Sequence, residues 1–186
     1  MSNTIECYTG FYQEKDQPAV CGIVLVHAGI KNPYFKHMPK GDYLNGLLQL
    51  LIERIEQFVP RLNGRVLHLD IHVHHKNSNF KKALEKTITA ADTGCGYSGV
   101  ERGNIIKHTL VRKDYKKPAS YERMTQLALL LAETNSPVYR VTLTTCGDSK
   151  SRDQLAVYTA CQGAWNDMKA VNGPVQAAEQ AVSPAN

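Results

Sequence analysis

Three imidazoles and a carboxylate stand at alternate positions in RVLHLDIHVHH, the stretch from Arg65 to His75: His68, Asp70, His72 and His74. In an extended chain successive side chains point to opposite faces. These four therefore share one face with Val66, while Leu67, Leu69, Ile71 and Val73 share the other. Same-face neighbours sit about 6.5–7 Å apart, and sheet twist can bring their side chains closer. Neutral imidazoles and a carboxylate are donors for a divalent metal such as Mg, Mn or Zn. A cation held here would act as a Lewis acid on a phosphoryl oxygen. Asp70 serves either as a ligand or as the group that orients a ligating imidazole. Binding should weaken below about pH 6, as imidazoles protonate near their reference pKa of ~6.5. The plainer alternative is a solvated strand face with its histidines satisfied by neighbours, and for His68 alone that alternative is the better one.

A second set of residues suits phosphate. Arg112, Lys113, Lys116 and Lys117 form the densest positive segment of the chain, beside Tyr115 in a turn. Lys76, Lys81, Lys82 and Lys86 follow the histidine stretch, where a helix start also presents free N–H groups. Residues 34–42 read as a loop with Tyr34, Lys36, His37 and Lys40. Solvated turns and helix faces are the default for all three. Gly94, Gly96 and Gly99 formally spell G-x-G-x-x-G, but the preceding segment is helical and strand-like residues follow. That order is wrong for a dinucleotide cradle, so 92–103 reads as a flexible loop.

The elements that must position these groups follow from periodicity. Residues 1–18 suggest an edge strand or hairpin arm. Val20 to His27 is apolar on both faces and reads as a central strand ending in a turn at Ala28 to Pro33. From Tyr43 to Val59, Leu44, Leu47, Leu48, Leu51, Ile52, Ile55 and Phe58 recur at three and four, which predicts an amphipathic helix stopped by Pro60. A short helix over 80–91 follows the histidine strand, capped by Ser78 or Asn79. Asn104 to Arg112 reads as a strand with His108 partly buried. Ser120 caps a helix from Tyr121 to Thr134, and Val138 to Cys146 reads as a one-sided strand. Ser151 with Gln154 makes a capping box for a last helix, ended by Asn172-Gly173-Pro174.

His72-Val73-His74 resembles the His-hydrophobic-His metal motif of HUH endonucleases, a family that includes rolling-circle replication initiators, relaxases and some transposases. RVLHLDIHV and the helix before it are also similar to replication proteins of filamentous phages. The resemblance covers the segment from that helix to His74. It implies that two strand histidines hold a divalent metal, which polarises a scissile phosphate for attack by a tyrosine on a later helix. Tyr121 is the candidate nucleophile; Tyr158 also lies on a predicted helix, and Tyr115 in the basic turn.

Bulk properties bound these readings. The chain has 186 residues, 42% hydrophobic and 21% charged, with a net charge of +5. That fits one globular domain over 1–174 with a flexible tail over 175–186. The five cysteines form no CxxC pair, which excludes a disulfide framework or a Cys-type zinc module. No apolar run approaches a membrane span, and the cytoplasm is the expected compartment. The one-sided strands favour an α+β fold, a mixed or antiparallel open sheet of about four or five strands with helices mainly on one face. The alternative is a three-layer α/β sheet. The functional expectation is a nucleic-acid-binding protein with a divalent-metal site, cleaving phosphodiester bonds in mobile-element DNA. One alternative is a non-enzymatic binding or inhibitor protein of a phage or plasmid, with a protein partner. Another is a small enzyme for a phosphorylated ligand, using the turns after Val26, His75 and Cys146; its test is whether those turns share one sheet edge.

Overall fold

The computed structural model describes residues 4–58, 67–74, 76–111, 120–133 and 138–146, together with Val157 and Asn166. Strands β1 (Thr4–Gln13), β2 (Ala19–His27) and β3 (Ile30–Met38) precede helix α1 (Tyr43–Phe58). Strand β4 (Leu67–His74) leads into helices α2 (Ser78–Gly94), α3 (Gly99–Val111) and α4 (Tyr121–Ala132), and β5 (Val138–Cys146) follows. The sheet order is β3-β2-β1-β4-β5. β1, β2 and β3 pair antiparallel, whereas β1, β4 and β5 pair parallel. The fold is α+β, one mixed open sheet with its helices packed mainly on one face.

The histidine strand has the register expected of it. Leu69, Ile71 and Val73 are buried in one core with Leu47, Leu51 and Ile55 of α1. α1 itself lies over β2 and β3, and α2 covers β4 and β5. Gly46 lets α1 approach closely: a Cβ there would fall 2.4 Å from Met38 Cγ and 2.8 Å from Cys21 Sγ. Across the sheet, Tyr8, Val20 and Val24 form a second cluster with Val157, which is helical. β2 is therefore buried on both faces, as its continuous apolar run requires.

Several expectations are corrected. β1 is not an edge strand; it pairs with both β2 and β4 at the centre of the sheet. Residues 30–38 are not a loop but the edge strand β3, where Pro33 is tolerated because an edge strand leaves one side of its backbone unpaired. Ala28 and Gly29 close that hairpin with φ of 50° and 79°, the positive-φ pair of a two-residue turn. Residues 104–111 are helix rather than strand. Ile106 and Leu110, four apart, are buried, and a Cβ on Gly94 would lie 2.8 Å from Ile106, so packing on α2 overrides the β-branched bias. His108 is consequently exposed rather than partly buried.

The segment 92–103 is likewise not a flexible loop but mostly helix: Gly94 ends α2, Gly99, with φ of 53°, opens α3, and residues 95–98 join them. Strand directions also separate the three turns proposed for a phosphorylated ligand. β2 runs against β1, so the turn after Val26 lies at the opposite sheet edge from the ends of β4 and β5. Ser120 occupies the N-cap of α4 as expected, whereas the N-cap of α2 is Asn77 rather than Ser78 or Asn79, and neither makes a side-chain cap bond. The Ser120 hydroxyl donates instead to Met124 Sδ at 3.4 Å.

Candidate functional site

Alternation along β4 puts His68, Asp70, His72 and His74 on the face away from the main core. Parallel pairing then sets β1 and β5 residues beside them. Thr4, Glu6 and Tyr8 are the Cα partners of His68, Asp70 and His72 on one side. Arg140, Thr142 and Thr144 take the same rows on the other. The result is a polar patch three strands wide, with Arg140 and Thr142 exposed at its rim.

Asp70 is its centre. The hydroxyls of Thr142 and Thr144 both donate to Oδ1, each at 2.9 Å. Two donors occupy that oxygen, and the other, Oδ2, lies 3.3 Å from His72 Nε2. Side-chain exposure is 20% for Asp70 and 12% for His72, and the Nε2 atoms of His72 and His74 are themselves buried, so a cation reaches the pair from the Asp70 side. The His72 ring stacks on Tyr8 with centroids 4.3 Å apart and planes 14° from parallel. Its carbonyl accepts from the Thr9 hydroxyl at 2.9 Å, which ties β4 to β1 at that residue. Position and ring plane are thus held from both sides.

The other two histidines have different partners. His68 Nε2 is 2.9 Å from Thr142 Oγ1. The single hydroxyl proton of Thr142 goes to Asp70, so the consistent assignment has His68 donating to that oxygen. His68 therefore supports the carboxylate through Thr142. His74 Nδ1 accepts from the Lys76 backbone N–H at 3.3 Å, and its carbonyl accepts from Asn77 N–H at 2.8 Å. His74 thus shapes the turn into α2. Among the described residues no three His, Cys, Asp or Glu side chains come together to hold a metal ion.

Tyr121 lies elsewhere. It opens α4 and packs against the core that holds Leu69, Ile71 and Val73, on the opposite side of the sheet from Asp70 and His72. The tyrosine that does stand beside the histidines is Tyr8. Arg112, Lys113, Lys116, Lys117, Tyr115, Tyr158 and His75 lie outside the described residues, as does the Ser151–Gln154 capping box. Cys7, Cys21 and Cys95 form no disulfide with one another, and the Cys21 thiol donates to the Tyr43 carbonyl at 3.3 Å; burial pushes the Cys7 thiol far up, which leaves it unreactive.

Glu6, Tyr8, Thr142 and Thr144 complete the patch and were not singled out by sequence. A signal existed for β1, because TIECYTGFYQ alternates Thr4, Glu6 and Tyr8 against Ile5, Cys7 and Thr9. What it lacked was the pairing partner.

No protein-family model matches the chain, and no curated protein matches it. Among solved structures, a ribonuclease H1 (LC11) isolated from compost by a metagenomic approach matches with a TM-score of 0.47 and 13% identity. That match covers 86% of this chain and 95% of that one. Among the described residues no helix is long and apolar enough to cross a membrane.

Proposed function

We propose that this chain binds nucleic acid and that Asp70 and His72 hold a divalent cation against a backbone phosphate on the polar sheet face. The observation that carries this reading is the 3.3 Å separation of Asp70 Oδ2 and His72 Nε2. Two donors each about 2.0–2.2 Å from one cation, in neighbouring coordination positions, stand about that far apart. The pair is also pre-organised, since Oδ1 is anchored by two threonines and the imidazole by Tyr8. Two protein donors leave several positions for water and phosphate oxygens, the usual arrangement for a cation shared with a phosphorylated substrate. Glu6, the partner of Asp70 in register, adds a second carboxylate to the same face. The likeness of His72-Val73-His74 to the HUH metal motif supports His72 as a ligand, whereas His74, whose Nδ1 accepts from the Lys76 N–H, gives its place to Asp70. The tyrosine attack that this likeness implies does not form part of the reading, because Tyr121 faces the other side of the sheet. The net charge of +5 suits a polyanionic partner.

Fluorescence anisotropy with a labelled single-stranded oligonucleotide tests this. Wild-type affinity should rise when Mn²⁺ is added, and Asp70→Asn, which keeps an acceptor for both threonines, should lose that rise. Equal Mn²⁺ dependence in the two proteins would contradict the cation, and no binding at low salt would contradict the nucleic-acid reading itself.

A further inference from the structure

The lysines of α2 serve neither the core nor the Asp70–His72 pair. α2 turns Phe80, Leu84, Thr87 and Ala91 inward, which leaves Asn79, Lys82 and Lys86 exposed on its outer side, with Lys76 exposed just ahead of the helix. Lys81 reaches Glu85 at 3.7 Å, one turn on. Lys82 and Lys86 have no ion-pair partner among the described residues. They stand four apart, where like charges on a helix face each other and disfavour it. The first turn of α2 contains no acidic residue to answer the positive end of the helix dipole. Positive charge therefore accumulates along the start of this helix at a cost in intrinsic stability.

We infer that Lys76, Lys82 and Lys86 form a track for the phosphate backbone of a nucleic-acid strand. The inference rests on the nucleic-acid reading above and adds where the backbone runs: past the carboxyl end of β4 and onto α2. Charge complementarity selects the occupant. The exposed large apolar side chains among the described residues are Ile30, Phe35, Tyr97 and Val100, none of them on α2. A protein partner would need apolar anchors that centre its interface. A phosphate backbone needs only point charges at regular spacing, which lysines four apart on a helix provide.

The test is anisotropy of a fluorescein-labelled oligothymidylate across a salt series, comparing wild type with the Lys82→Ala, Lys86→Ala double variant. Each phosphate contact to a single strand contributes about 0.7 to the slope of log affinity against log salt. The double variant should thus show a slope shallower by about 1.4, and Lys82→Arg, Lys86→Arg should retain the wild-type slope. Removal of the like-charge pair should leave the melting temperature unchanged or slightly raised. An unchanged slope in the alanine variant, with wild type binding, overturns the track and leaves the nucleic-acid reading standing. A melting temperature well below wild type assigns the lysines to the fold and likewise overturns it. Failure of wild type to bind at low salt removes both.

Discussion

The two faces of β4 are made by alternating residues of one strand, yet they depend on different parts of the chain. On the core face, Leu69, Ile71 and Val73 are fully buried among apolar side chains of the helices. What that face requires is volume and the absence of polar atoms. On the polar face, Asp70 depends on Thr142 and Thr144, 72 and 74 residues away, and His72 depends on Tyr8. What that face requires is particular donors at particular rows. One strand thus carries a face that many residues could fill and a face that few could.

Substitutions should separate the two. Ile71→Ala, on the core face, should lower the unfolding free energy by about 2–5 kcal/mol through lost burial and a cavity, read by urea denaturation. Gly46→Ala should follow at about 1–3 kcal/mol, because the new Cβ meets Met38 and Cys21 and overpacking outweighs the gain in helix propensity. A Gly46→Ala protein as stable as wild type would show that α1 is free to shift away from β2 and β3. The Thr142→Val, Thr144→Val double variant, on the polar face, should fold but bind Mn²⁺ about 10–100-fold more weakly. That is the scale on which partners that orient a metal ligand act, and calorimetric titration would read it. Undiminished affinity would mean that the threonines do not position Asp70.

The smallest effect should come from the helical side of β3, remote from both faces of β4. Burial pulls the Glu53 carboxyl up, but the hydrogen bond and charge of Lys36, the amide of Gln49 and the charge of Arg54 outweigh it and hold the carboxyl below its usual range. A carboxyl depressed in the folded state contributes stability above its unfolded pKa of ~4.3, and that contribution is lost as pH falls through the lower folded value. Acidification from pH 6 to below ~4 should therefore cost wild type slightly more stability than Glu53→Gln. Parallel melting curves in the two proteins would show that Lys36 contributes nothing through Glu53.

What the sequence made legible follows the same division. The register of β4 and the stripe of α1 were readable because burial imposes a period on residues close in sequence. β3 was obscured by Pro33 and by a turn whose first residue, Ala28, gives little sign of positive φ. α3 was obscured by its β-branched run, which packing on α2 and α4 outweighs. The histidine face was visible as a set of residue types, but which of them work together was not. Thr142 takes His68, the turn into α2 takes His74, and β1 supplies Tyr8 and Glu6. The partners from β1 and β5 arrive through pairing between distant strands, which alternation within one strand cannot reveal; that of His74 lies only two residues on, in the turn.

The cation at Asp70 and His72 is tested most directly by NMR of the histidine ring protons during titration with Mn²⁺, whose unpaired electrons broaden nearby signals. The His72 ring should broaden first, ahead of exposed His27, His37 and His108, and Asp70→Asn should abolish that selectivity. Equal broadening of all the rings, or earlier broadening of the exposed ones, would contradict the site.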